Sequence, residues 1–505
     1  SIVLSLFLTN MEIPIVTTSL VAITSDLGGF DKIGWVISSY LLGYVGVLVI
    51  FAKLSDIFGR KLMLSISISI FILFSAGCGA AQTLTQLIVL RAFQGVGGAG
   101  CFALGSAILA ELVPPEQLAK YVANISIVYG ISLLCGPILG GAISAHAWRW
   151  VFLLNIPAAA PALAFAILAI PQDFPHHART GASNPLYTWK ARFSKETRAK
   201  VDTIGATLLL LATLSMTAGF EEADSRFPWK SAFVITLLSV SGVLWITLLL
   251  WERRVTNDSA VIEPVLPWRF MKNRAMLSLL LNAVFLGGPW FVSVFQLPQK
   301  FQVVHGSSGL RAGIQTMPFT FAAPLGSAFS SIAAGKLRVP VVFVSLFAGC
   351  LQIIGYALLA SLPPSTAIDP RVYGYQFIAG FGCGINISTL MLILPFVVEP
   401  RDKAVGLGAV TQLRVMGGAI VLSVATSVFN GYTRPLVANF LRSINALADA
   451  IVSLQTLSKF SEQEQVTMRM ILARGYSIQM YILCAFATAQ LPAAWLLWRR
   501  RQVLV

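Results

Sequence analysis

The sequence predicts an all-α integral membrane protein of fourteen transmembrane helices, arranged as two six-helix bundles with two helices inserted between them. Three observations carry that expectation. Hydrophobic residues make up 56% of the 505 and charged residues only 11%, against about 25% charged in a soluble domain. Fourteen apolar runs are long enough to cross a bilayer. Short motifs also recur: Ala52-Lys53-Leu54 as Gly335-Lys336-Leu337, Gly95-Val96-Gly97 as Gly380-Phe381-Gly382, and Val113-Pro114-Pro115 as Val398-Glu399-Pro400. Their offsets are 283, 285 and 285 residues. Spans nine to fourteen therefore read as a parallel copy of spans one to six, with spans seven and eight inserted.

Taken in order, the expected spans are 2–24, 33–53, 62–81, 86–111, 119–144, 150–170, 202–220, 231–251, 274–297, 309–334, 340–360, 372–397, 404–430 and 474–498. The first bundle occupies 1–170, followed by a cytoplasmic linker at 171–201 and the inserted pair over 202–251. A second cytoplasmic linker, 252–273, leads into a C-terminal bundle over 274–505 that includes a long outer loop at 431–473. With the N-terminus in the cytoplasm, inner loops carry 22 of the 36 Lys and Arg and outer loops 12. That excess places both termini on the cytoplasmic side. Trp189 and Phe193, among basic residues, predict that the first linker lies at the membrane surface. In the outer loop Phe440, Ile444, Leu447, Ile451 and Leu454 fall at helical spacing and predict an amphipathic helix. The chain starts inside an apolar run without a cleavable signal, so a cytoplasmic tail ahead of Ser1 is expected.

Between the second and third spans lies a polar knot, Lys53-Leu-Ser-Asp56-Ile-Phe-Gly59-Arg60-Lys61. Its four charges exclude it from hydrocarbon. Gly59 supplies the backbone freedom of the turn, and Asp56 is placed to pair with Arg60 or to accept from a nearby helix N-terminus. This stretch resembles the signature loop of the major facilitator superfamily of transporters, Gly-x-Leu-x-Asp-Arg-x-Gly-Arg-Lys. Ala52 stands for the first glycine and Ile57 for the first arginine.

Glu12 lies mid-span, where an ionised carboxylate costs several kcal/mol unless it is protonated or faces a polar cavity. A structural glutamate hydrogen-bonded inside the bundle fits the same position. Met11-Glu12-Ile13-Pro14-Ile15-Val16 resembles the first-helix pattern Leu-Asp-x-Thr-Ile-Val of fourteen-helix drug:proton antiporters, with the acid kept and Pro14 replacing the threonine. Arg91, followed by Gln94 and a glycine run from Gly95 to Gly100, resembles that family's fourth-helix motif Arg-x-x-Gln-Gly-x-Gly, whose arginine is implicated in proton transfer. The plainer role for Arg91 is to lock helices together. Gly130 followed by Gly136-Pro137-Ile138-Leu139-Gly140-Gly141 resembles Gly-x(5)-Gly-Pro-x-x-Gly-Gly, which marks antiporters. Proline bends the span, and the small residues let backbones approach. The run Trp148 to Pro157 resembles the same group, with its tryptophans expected as interfacial anchors. In the second half, Arg414 and Gln412 are mid-span, fitting either coupling or a helix bridge. Trp290, Gln296, Gln315, Gln376 and Asn386 are candidates for lining a substrate cavity, which for bulky organic cargo is mostly apolar with a few polar groups.

Other classes lack their signatures. The net charge of +15 is spread between spans rather than gathered on one surface, which excludes nucleic acid as a partner. Cys78, Cys101, Cys135, Cys350, Cys383 and Cys484 lie in separate spans without CxxC spacing, so no metal site or disulfide frame is expected. The four histidines fall in loops, and no HExxH or phosphate loop is present, so neither an enzyme, a cofactor nor a nucleotide-driven pump is indicated. The resemblance implies a monomeric antiporter that exports hydrophobic small molecules, such as drugs or toxins, against protons. Its expected partners are the bilayer, protons and cargo, with protonation of Glu12 competing with cargo binding. The plasma membrane is the expected location and the vacuolar membrane the alternative. A vacuolar basic amino acid or siderophore carrier of the same fold is the rival function, although cationic cargo calls for more buried acids than Glu12 alone.

Overall fold

The computed structural model describes residues 2–28, 34–171, 194–224, 227–258, 261–443 and 461–499. It contains fourteen long helices: α1 Ile2–Leu27, α2 Trp35–Phe58, α3 Arg60–Ala80, α4 Leu84–Leu112, α5 Pro115–Ala147, α6 Asn155–Ala169, α7 Thr203–Glu222, α8 Ala232–Asp258, α9 Arg274–Val303, α10 Gly309–Ser331, α11 Val341–Ser361, α12 Arg371–Val397, α13 Lys403–Ser443 and α14 Glu462–Trp495. Among the described residues there is no β-strand, only two isolated bridges. In hydrocarbon every backbone group needs a partner within the protein, and a helix supplies it inside each apolar run of this length.

The starts are set by ordinary caps. Thr83, Asp202, Asn273 and Ser308 accept backbone N–H groups at the heads of α4, α7, α9 and α10. Ser461 and Glu464 form a reciprocal capping box on α14. Gly59, between α2 and α3, has φ +100°, a conformation that a side chain strains.

Pairings repeat between the halves. α1 packs on α5, α2 and α3 on α4, and α3 on α6; correspondingly α9 packs on α13, α10 and α11 on α12, and α11 on α14. The α7–α8 hairpin sits beside α2 and α13. The two halves meet chiefly along α5–α10 and α2–α13.

Three expectations need correction. The described parts of the outer loop 431–473 are helical: α13 runs to Ser443 and α14 begins at Glu462. Val437 and Leu441 pack on Met468, Leu472 and Tyr476 as a small separate core, so Arg434, Arg469 and Arg474 ride on helices that continue past the apolar span. Of the amphipathic set, Phe440 belongs to α13, and Ile444, Leu447, Ile451 and Leu454 lie outside the described residues, as do Trp189 and Phe193. The linker 252–273 is likewise no free loop. α8 continues to Asp258, and Val265, Leu266 and Phe270 are buried. Finally, Trp148 is a buried partner rather than an anchor, donating to Asp26 Oδ2 at 2.9 Å. Trp150 remains exposed.

Thirteen of the fourteen helices are apolar enough to count as spans on composition. The exception, α10, carries Gln315, Thr316, Thr320, Ser327, Ser330 and Ser331. Three of these, Thr316, Thr320 and Ser327, line an internal cavity, while Gln315 and Ser330 bond to Ser307 and Thr389.

Candidate functional site

Two polar centres stand out, one inside the N-terminal half and one between the halves. The first is built on Glu12. Its Oε1 accepts from Arg91 Nη1 in a fully buried ion pair and from Gln94 Nε2 at 3.0 Å. Its Oε2 accepts from Asn155 Nδ2 at 2.7 Å. Arg91 and Gln94, three residues apart on α4, share a helix face, and Arg91 Nη1 donates to Gln94 Oε1 at 2.8 Å. Gln94 also reaches Ser75 on α3 at 2.8 Å. Arg91 Nε donates to the Val36 carbonyl at 3.0 Å, and the guanidinium lies over the Tyr40 ring at 4.4 Å. Five helices thus converge on one carboxylate and one guanidinium. Removing one member of such a pair strands a buried charge, at a cost of about 3–5 kcal/mol.

The second centre is a cavity of about 780 Å³ between the halves, within the size range of small-molecule sites. Asn10, Ile13, Pro14 and Thr17 of α1 line it, and so do Tyr40, Tyr44, Phe102 and Tyr129. Trp290 and Phe291 of α9, the polar face of α10, and Arg414 of α13 complete the wall. Glu12 does not line it: α1 turns Ile13 and Pro14 to the cavity and Glu12 to α4 and α6. Direct competition between cargo and a proton at one carboxylate is therefore not what this geometry offers. The connection is Tyr40, whose ring faces the cavity and lies beneath Arg91.

At one end the halves close against each other. Ala52, Ala107 and Ala404 form a buried contact, as do Val122 and Leu392. The polar knot lies at this end. Arg60 is buried, meeting Asp56 Oδ1 at 2.5 Å and Glu111 Oε1 at 2.7 Å. Buried Lys53 pairs with Glu263 of the second linker at 2.7 Å, and Arg269 of that linker pairs with Asp402 at the head of α13. Lys61 is half-buried nearby. At the other end the cavity reaches Gln302, Gly309 and Leu310, at the tips of α9 and α10.

The glycine–proline motif divides its work. A Cβ on Gly140 would fall 2.2 Å from Thr18 Oγ1 and 2.3 Å from the Ile15 carbonyl oxygen, and one on Gly136 would fall 2.6 Å from Pro14 Cβ. These two hold α5 against α1. Gly130 faces Pro324 of α10 across the interface between halves. Pro137 and Gly141 line the cavity.

The other polar candidates do not line the cavity, Trp290 excepted. Gln412 bridges helices, accepting from Val49 N and donating to Thr213, each at 3.1 Å. Gln296 donates to Thr426 and Gln315 accepts from Ser307. Asn386 joins Asn282, Ser345 and Gln490 in an uncharged buried network. Gln376 is buried with both amide atoms unpartnered, and Gln94 belongs to the Glu12 centre. An amide in a span finds other amides or backbone at helix seams as readily as a cavity. Sequence reading also passed over Asn155, a polar residue in an apolar span, and Glu111, the partner of Arg60. The cavity's tyrosines and threonines carry no comparable signal, because such residues are common in any span.

The sequence pattern of the Major Facilitator Superfamily matches residues 2–422. The chain belongs to that superfamily. It is similar to "MFS-type transporter FPY5" of Fusarium mangiferae, 39% identical over 99% of this chain and 82% of that one. It is also similar to "MFS-type efflux pump MFS1" of Trichophyton rubrum, 32% identical over 84% of this chain and 76% of the other. Among solved structures, a double-tryptophan variant of XylE superposes with a TM-score of 0.57 at 13% identity, covering 100% of this chain and 95% of that one; this likeness concerns the fold. The chain is accordingly a membrane transporter and not an enzyme.

Proposed function

We propose that this transporter is a monomeric proton antiporter that exports hydrophobic or amphipathic small molecules, with Glu12 as the proton site. The observation that carries this reading is the placement of Glu12: buried, ion-paired with Arg91, off the cavity wall, and joined to it through Tyr40. Protonation neutralises the carboxylate and leaves the Arg91 charge facing only rings and dipoles. The pair then favours an arrangement that rehydrates or re-pairs it, and a ligand or proton shifts populations only through such differential stabilisation. The two halves rock about the cavity, and the Lys53–Glu263 ion pair, which ties the N-terminal half to the second linker, holds the closed end until the exchange. A cationic cargo finds no acidic side chain on the described wall, which disfavours the basic amino acid reading.

The test is uptake of a panel of labelled apolar compounds into inside-out vesicles. An imposed proton gradient is expected to concentrate at least one of them, and collapse of the gradient is expected to abolish that accumulation. Accumulation that ignores the gradient rejects antiport. Following the charge bias, the closed end faces the cytoplasm. The sequon Asn257-Asp258-Ser259, at the end of α8, is then expected never to carry a glycan. Mass spectrometry of the native protein checks this, and a glycan at Asn257 reverses the orientation.

A further inference from the structure

The cavity also specifies the charge of its cargo, an inference that rests on the export reading above. Arg414 is the single charged side chain on the described wall. The buried arginines face carboxylates: Arg60 has Asp56 and Glu111, and Arg91 has Glu12. Arg414 has none. Its described electrostatic neighbours are the phenols of Tyr44 and Tyr129, and its Nε is buried without a hydrogen-bond partner. A guanidinium does not deprotonate, so the described wall sets a cation without a carboxylate partner against largely apolar neighbours, an arrangement that is costly without a counter-charge. The rest of the wall suits an apolar body: Phe102 stacks on Tyr129 at 5.8 Å, and Trp290 and Phe291 face the cavity from α9.

We propose that the cargo is an organic anion, an apolar body bearing one carboxylate or comparably acidic group, with that group seated on Arg414 between Tyr44 and Tyr129. The seat is also wired to the proton site. Tyr44 stacks on Tyr40 at 6.0 Å, and Tyr40 lies under Arg91 at 4.4 Å. A negative charge on Arg414 and the state of the Glu12–Arg91 pair therefore act on one aromatic ladder.

The experiment uses the whole protein in lipid nanodiscs, titrated at neutral pH with fluorescent dansylaminoundecanoic acid and, separately, with its methyl ester, with empty nanodiscs subtracted. The wild type is expected to bind the acid at least about tenfold more tightly than the ester, the range of a charge-assisted hydrogen bond. Arg414→Gln is expected to bring that ratio to about one, whereas Arg414→Lys, which keeps a point charge, retains much of it. Equal wild-type affinity for the two probes overturns the anion assignment and leaves the export reading intact, because apolar cargo still binds. A preference that persists in an Arg414→Gln protein melting like the wild type overturns it too. Failure of the wild type to bind either probe, while vesicles still accumulate a neutral compound, rejects the anion and spares the antiporter. If Arg414→Gln does not fold, the wild-type comparison and Arg414→Lys decide the question.

Discussion

Glu12→Gln abolishes proton-driven export while leaving cargo binding in place. The substitution keeps the side chain's shape and removes the titrating group. Its one carbonyl oxygen can still accept from Arg91 and Gln94 where Glu12 Oε1 does, and its amide meets Asn155 only if that amide turns its oxygen inward. Cargo still binds because Glu12 is not on the cavity wall. The variant is not neutral for the bundle, since Arg91 loses its counter-ion at full burial, a change of about 3–5 kcal/mol for a broken buried pair. In the native cycle protonation would impose the same imbalance transiently; the variant makes it permanent. Export assayed in cells at matched surface expression is expected to fall to background, while exchange of labelled for unlabelled cargo persists. Wild-type export by Glu12→Gln at equal expression removes Glu12 from the mechanism and leaves Arg91 as a helix lock.

Gly140→Leu is the second large effect, and it acts through packing. No side chain fits where a Cβ already meets the Ile15 carbonyl oxygen at 2.3 Å. Leucine must push α1 from α5, and overpacking of this kind costs about 1–3 kcal/mol or more. Because α1 carries Glu12 on one face and cavity residues on another, the displacement disturbs both centres. Transport is expected to be lost, with a lower melting temperature for the purified protein. The neighbouring Gly141 is the control, since a Cβ there has no heavy atom within 4 Å. Gly141→Ala is expected to insert and melt like the wild type. Equal behaviour of the two variants would mean that the motif does not act through the α1–α5 contact.

What could be read in advance follows from the solvent. In a bilayer every charge is conspicuous against its background, so Glu12, Arg91, Arg60 and Arg414 all announced themselves as residues needing partners. The pairing of Asp56 with Arg60 and the turn at Gly59 were legible because a tight connection limits where its residues point. Direction around a helix was not legible. Gln296, Gln376 and Asn386 were as polar as any cavity residue, yet Gln296 and Asn386 bond to neighbouring helices of the C-terminal half and Gln376 is buried off the cavity wall. Adjacent residues on α1 illustrate the problem, for Glu12 and Ile13 differ by one position and face different centres. Helix length beyond the membrane was equally hidden. The charges of 431–473 suggested a loop, but α13 and α14 continue and bury Leu441 against Met468 and Leu472.

The central claim is that occupancy of the cavity and protonation of Glu12 are linked although the carboxylate does not touch the cavity. The most direct measurement is proton release on cargo binding by the purified protein, followed with a pH-sensitive dye in weakly buffered solution. The account predicts that adding a compound the vesicles accumulate releases protons from the wild type, and releases none from Glu12→Gln although the variant binds it. Equal release from both proteins, or no release from the wild type at saturating cargo, would contradict it.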